Sequence, residues 1–179
     1  PRPSNRKYRG LAPHMIEIKA PEKFIHYKPI LFLSGSIEMG DATKWQGTVI
    51  RMIDQWNEVS RKNGTEWMGQ ILNPRRDDWD KSWEQSIDNP KFREQVEWEL
   101  RGLEYADCVY MHFDPNTKSP ITLMELGMMK NKKIIVSCGL EFWRRGNVEV
   151  FCSYFGIPLF DSIEESVEQL CRRFLNMRI

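Results

Sequence analysis

Apolar positions along the chain fall into two patterns: short unbroken runs, and longer stretches with a repeat of three and four. Pro29-Ile30-Leu31-Phe32-Leu33 is an unbroken run that ends in Ser34-Gly35-Ser36, the pattern of a buried strand entering a tight loop. Ala42, Trp45, Val49, Met52, Ile53, Trp56 and Val59 recur at helical spacing, with Asp41 placed to cap the helix and Asn63-Gly64 to stop it. Thr65 to Leu72 reads as a second strand closed by Asn73-Pro74, and residues 75–90 as a polar loop containing tryptophan. The spacing predicts a helix over Pro90 to Tyr105, with Phe92, Val96, Leu100 and Leu103 on one face. Cys108 to Met111 follows as a strand, Pro120 to Lys130 as a helix capped by Ser119, and Lys133 to Ser137 as a strand. A helix over 146–154, a strand at Ile157 to Phe160 and a helix capped by Asp161, with Ile163, Val167, Leu170 and Phe174, complete the chain.

Strands that alternate with helices imply βαβ units. The predicted fold is α/β: a single doubly wound domain, flavodoxin- or Rossmann-like, with a mostly parallel five-stranded sheet and helices on both faces. Ligands of such sheets bind beyond the carboxyl ends of the strands. That rule selects the loops at 34–41, 73–80, 112–121 and 137–147. A length of 179 residues fits one domain, placed at 29–179, behind a basic arm at 1–28. The arm carries seven Lys/Arg and two acids, including Arg2, Arg6, Lys7 and Arg9; the remainder carries nineteen and twenty-three. A mildly acidic body speaks against a nucleic-acid partner, and such an arm is either a solvated terminus or a contact for a polyanion. No apolar run approaches the ~18 residues of a membrane span. Four scattered cysteines without a CxxC pair, and no signal-like opening, make a reducing cytoplasm the expected compartment.

Two glutamates break the apolar pattern. Glu99 lies three residues after Val96 and four before Leu103, in the middle of the apolar stripe of its helix. A carboxylate there is costly without a partner or a cleft; the plain alternative is a buried Glu paired with an arginine. Glu125 is the single acid in Ile121-Thr122-Leu123-Met124-Glu125-Leu126-Gly127-Met128-Met129, a helix apolar nearly all round. The helix dipole favours its ionised form by ~0.3–1 kcal/mol while burial opposes it, and a Glu that merely answers the dipole is the plain alternative. Paired carboxylates are the equipment for cleaving a bond to an anomeric carbon; retaining enzymes hold them ~5–5.5 Å apart. Ser34-Gly35-Ser36-Ile37-Glu38-Met39-Gly40 is either a loop that brings backbone amides to an anion or a plain βα turn. Trp45 reads as core and Gln46 as able to reach that loop. Asn73 to Asp80, with Arg75, Asp77, Asp78 and Trp79, reads equally as a grip for a base and as a salt-bridged surface loop. Arg144-Arg145-Gly146-Asn147 reads as a helix start.

Taken together, Leu33-Ser34-Gly35-Ser36-Ile37, Glu99-Leu100 with Ala106-Asp107, and Met124-Glu125-Leu126-Gly127 resemble the nucleoside 2-deoxyribosyltransferase superfamily over roughly residues 29–160. The resemblance implies that Glu125 is the nucleophile that forms a glycosyl-enzyme intermediate. Glu99, where the family more often has Asp, would position sugar or nucleophile, and Asp77 or Asp78 would protonate the leaving base. The implied chemistry transfers a deoxyribosyl group from a 2'-deoxynucleoside, or its 5'-monophosphate, to a free base, without metal or organic cofactor. A sister group, the 2'-deoxynucleoside 5'-monophosphate N-hydrolases, shares Gly35, Ser36, Ile37 and a Ser at Ser119; these lean toward a phosphate-bearing substrate. This chain has Glu38 where those hydrolases have Arg, and Phe32 where they have Tyr. A non-catalytic nucleotide-binding module and a glycohydrolase of NAD or a cyclic nucleotide signal are the alternatives. The family also implies a dimer or higher homo-oligomer with a shared site, to which Asn147 is the candidate contributor.

Overall fold

Among the described residues six short strands carry the apolar runs, and all of them lie parallel in one sheet of order β1-β3-β2-β4-β5-β6. The structure is a computed structural model that describes residues 15–25, 29–37 and 43–175. The elements are β1 (Ile16–Lys19), β2 (Ile30–Gly35), α1 (Trp45–Arg61), β3 (Gln70–Asn73), α2 (Pro90–Tyr105) and β4 (Cys108–Phe113). They continue with α3 (Pro120–Met128), β5 (Ile134–Cys138), α4 (Arg145–Phe155), β6 (Leu159–Phe160) and α5 (Ile163–Leu170), the last extended by a wide turn over Cys171–Leu175.

Alternate residues of each strand face opposite sides, so one run feeds two cores. Ile30 and Phe32 pack with Trp98 of α2, Leu126 of α3 and Val148 and Cys152 of α4. Leu31 and Leu33 pack with Trp45, Val49 and Ile53 of α1 and Val167 and Leu170 of α5. Burial on both faces explains why β2 and β4 read as apolar runs rather than alternating ones. Asp107 pins the sheet at its lower end: its carboxylate accepts from the Ile30 N–H at 2.8 Å and its own N–H donates to the Ile30 carbonyl.

Three elements differ from the sequence reading. The sheet has six strands, not five, because β1 lies in the segment assigned to the arm. Ile16 and Ile18 alternate with Glu17 and Lys19, a four-residue edge too short to register as a period. Side chains of the domain hold this segment. Asn73 donates to Glu17 Oε1 at 2.7 Å, the Gln70 amide bonds the Ile25 backbone in both directions, and Trp98 Nε1 donates to the Glu22 carbonyl. Residues 16–25 therefore join the domain, while Arg2, Arg6, Lys7, Arg9 and the cap Asp41 lie outside the described residues. In addition, β3 starts at Gln70 rather than Thr65, since Trp67 bonds the Asn57 side chain of α1 instead of a strand. Ser162 and not Asp161 caps α5, because Asp161 is engaged by Arg145 at 2.7 Å.

The chain leaves β2 toward β3 on one side and reaches β4 on the other. The order β3-β2-β4-β5-β6 has a switch point between β2 and β4, where the loops diverge and open a crevice. Helix α2 closes one side of it, started by Asn89, whose side chain accepts from Lys91 and Phe92 N–H, and by Pro90 in the first turn. Its approach depends on Gly102: a Cβ there would lie 2.5 Å from the Phe32 ring. Gly102→Ala gains ~1 kcal/mol of helix propensity but overpacks by ~1–3 kcal/mol, and a contact this short with the Phe32 ring draws on the upper end, a net loss of up to about 2 kcal/mol. Gly47→Ala in α1, with open space around it, gains about 0.5–1 kcal/mol. Urea unfolding midpoints of both variants check the opposite signs.

Candidate active site

Above the switch point lies a cavity of about 540 Å³. Its walls are Ser34, Gly35, Ser36 and Ile37 after β2, Arg75, Arg76 and Trp79 after β3, Phe92, Gln95, Val96 and Glu99 on α2, and Ser119, Ile121, Met124 and Glu125 on α3. The apolar stripe predicted for α2 is thus divided. Trp98, Gly102 and Leu103 face the core, whereas Phe92 and Val96 line the cavity with Glu99 and Leu100 stands half in solvent.

Glu99 and Glu125 face this one space from two helices. Glu125 is buried, and its Oε2 accepts a 2.6 Å hydrogen bond from Ser34 Oγ at the end of β2. Burial lifts its carboxyl to about 7, with the Ser34 bond pulling the other way. Glu99 Oε1 accepts from Gln95 Nε2 at 2.7 Å. Burial pushes Glu99 to about 8; the Gln95 bond opposes the rise and the Glu125 charge adds to it. The pair therefore holds a proton at neutral pH, one carboxyl neutral beside one ready to ionise. Ser34 Oγ and Gln95 Nε2 each bind one carboxyl oxygen, leaving Glu125 Oε1 and Glu99 Oε2 with no hydrogen bond among the described residues.

A second group of polar side chains sits at the start of α3. The hydroxyls of Ser36 and Ser119 contact each other, and Thr117 Oγ1 lies 2.9 Å from Ser36 Oγ and 2.7 Å from Ser119 Oγ. All three are buried. Ser119 precedes α3 as predicted, yet its hydroxyl makes no cap bond; the residue has φ 47° and turns into the cluster. Asp114 organises the surroundings: its N–H donates to Ser36 Oγ, and its carboxylate accepts from the Thr43 N–H and hydroxyl. Trp45 Nε1 donates to the Ser36 carbonyl at 2.8 Å, so this core tryptophan also holds the loop. Gly35 is required here, as a Cβ would lie 2.4 Å from the His112 carbonyl and 2.7 Å from the Trp45 ring.

The remaining candidates are dispersed. Arg75 lines the cavity and donates to the Thr43 carbonyl at 3.0 Å. Gln46 is buried beside Trp45 but does not line the cavity, and its amide makes no hydrogen bond among the described residues. Asp77 and Asp78 are exposed by 80% and 65%, outside the cavity wall, and are paired with Lys19 and Arg76 at 2.8 Å. Asn147 lies on α4 in a separate surface groove with Val150, Phe151 and Tyr154. Glu38 lies outside the described residues. Gln95, Thr117 and Asp114 escape the sequence reading. Gln95 was within reach of it, since residues four apart share a helix face; Thr117 and Asp114 sit in a turn with no periodic signal.

The sequence profile of a family described as nucleoside 2-deoxyribosyltransferase-like matches residues 28–142. Comparison with curated proteins finds no match. The crystal structure of a conserved protein from Enterococcus faecalis V583 superposes with a TM-score of 0.53 at 10% identity, covering 82% of this chain and 99% of that one. At that identity the likeness shows the shared fold.

Both glutamates titrate higher in the folded chain than in the unfolded one, so the folded state keeps protons that the unfolded state releases. Stability therefore falls as pH rises from about 4.5 toward 8, and the loss is complete above that. Relative to the native chain, Glu99→Gln gains roughly 1–3 kcal/mol between pH 5 and pH 8. Paired denaturation curves at the two pH values check it.

Proposed function

The chain belongs to the nucleoside 2-deoxyribosyltransferase-like family, and we propose that its cavity cleaves the N-glycosidic bond of a 2'-deoxynucleoside or its 5'-monophosphate. The observation that carries this reading is the pair Glu99 and Glu125 in one pocket, each with one oxygen anchored and the other without a hydrogen bond among the described residues. Ionised Glu125 attacks C1' through Oε1, and a C1'–O bond forms as the C1'–N bond breaks. The bonding pair passes to the base nitrogen, which takes the proton from Glu99. The products are a glycosyl ester on Glu125, a neutral base and ionised Glu99. A second base then attacks C1', returns its N–H proton to Glu99 and frees Glu125, which completes transfer; water in the same place completes hydrolysis.

This assignment moves the acid role from Asp77 and Asp78 to Glu99. Asp77 and Asp78 are exposed, paired with Lys19 and Arg76, and stand off the cavity, whereas burial lifts the Glu99 carboxyl to about 8 inside it. The hydroxyls of Ser36 and Ser119, with Arg75 lining the same cavity, suit the 5' end of the sugar and favour the monophosphate. Hydrolysis of a monophosphate is the second reading, supported by those same hydroxyls. The exposed apolar side of α4, with Val150 and Tyr154 around Asn147, favours a second copy of the chain as partner. Among the described residues no helix is long and apolar enough to cross a membrane.

Glu125→Gln is expected to remove turnover while the chain stays folded; a variant that keeps more than about 5% of activity overturns the nucleophile. For the native chain kcat/KM rises through about pH 7, as Glu125 ionises, and falls beyond about pH 8, as Glu99 does. Chromatography of each deoxynucleoside and monophosphate, with and without a different free base, checks the reaction. A new nucleoside made only with added base is transfer, and free base from monophosphates alone is hydrolysis.

A further inference from the structure

Gln95 stands one helical turn before Glu99 and is buried. Its Nε2 donates twice, to the Pro74 carbonyl at 2.8 Å and to Glu99 Oε1 at 2.7 Å. The direction of this amide is dictated by its neighbour. Turned over, its oxygen would face the Pro74 carbonyl at the same distance, acceptor against acceptor. Both amide hydrogens are therefore committed, and Glu99 Oε1 can only accept. A proton on Glu99 must sit on Oε2. Gln95 Oε1, for its part, is buried without a partner among the described residues, a penalty that an apolar side chain of the same size would not carry.

We propose that Gln95 is a positioning residue: by fixing Glu99 Oε1 as an acceptor, it keeps the proton on Oε2, the oxygen left open to the leaving base. This rests on the N-glycosidic reading for its purpose, not for its geometry. The connection runs through Pro74 at the end of β3, so the strand that carries the arginine loop also sets the orientation of the acid. The charged groups that face Glu99 across the cavity are Glu125 on α3 and Arg75 and Arg76 after β3. None of them donates a hydrogen bond to Glu99, which leaves Gln95 as its donor among the described residues.

Two substitutions separate positioning from simple support. Gln95→Leu fills the space and donates nothing. Gln95→Lys donates to both acceptors and adds a positive charge. Loss of the donor destabilises the Glu99 carboxylate, so the alkaline limb of kcat/KM moves to higher pH in the leucine variant. The cation stabilises that carboxylate, so the limb moves to lower pH in the lysine variant. In the leucine variant kcat falls by about 10–100-fold for bases that leave only when protonated, with KM changed by less than about 3-fold, and little for bases that leave as anions. The titration of Glu99, followed by ¹³C NMR of glutamate-labelled protein and assigned with Glu99→Gln, reads the same shifts without turnover. Opposite displacements support the role. Titration at the native pH in both variants overturns it, as does an equal loss across all leaving bases. If the leucine variant does not fold, the lysine variant alone decides, through a downward shift or none. A native chain that cleaves no nucleoside or monophosphate refutes the glycosidic reading, and the NMR titration still decides Gln95.

Discussion

Two carboxyl groups withdrawn from water into one cavity are the constraint on which the site depends. Among the described residues no arginine pairs with either. Each instead receives one neutral donor, Ser34 Oγ on Glu125 and Gln95 Nε2 on Glu99. A neutral donor orients an oxygen without cancelling its desolvation, which is why both groups titrate near neutrality. A salt bridge in either place would have produced a permanently ionised group, stable and chemically quiet. The arrangement keeps one proton between two acids at the expense of folding stability.

Sheet topology makes the arrangement possible. The switch point between β2 and β4 parts two loops, and the helices that follow and precede β4 flank the opening from either side. Close packing sets the distances. Gly35 lets the end of β2 run against His112 and Trp45, and Gly102 lets α2 settle on Phe32. Side chains of the same strands and turns then divide the floor into a carboxylate end and a hydroxyl end. Ser34 serves the first, and Ser36, one Gly further on, serves the second together with Thr117 and Ser119.

Much of this was legible in the chain. Glu99 and Glu125 stood out because a charge inside an apolar stripe needs a reason, and both lie in the cavity. The loop from Ser34 to Ile37 and the start of α3 were selected by the rule for the carboxyl ends of strands, and they form its floor. Asp77 and Asp78, expected to protonate the base, stand exposed outside the cavity wall, where Asp77 pairs with Lys19 of β1 and Asp78 with Arg76 of its own loop. Helical spacing puts Gln95 on the face of Glu99, but its bond to the Pro74 carbonyl is visible only once the strand beside it is known.

Periodicity determined the order and kind of nearly every element, since burial on one face imposes a repeat of two or of 3.6 on any sequence that folds. It also marked the two residues whose burial is anomalous. Tertiary structure alone decided that β1 joins the sheet, because a four-residue edge carries too little pattern and is held by side chains from Asn73, Gln70 and Trp98. It alone decided that Ser34 bonds Glu125 and that Ser36 meets Thr117 and Ser119. Those bonds join residues far apart in the chain, and hydrogen-bond geometry is set by where elements pack, a quantity that local sequence does not contain.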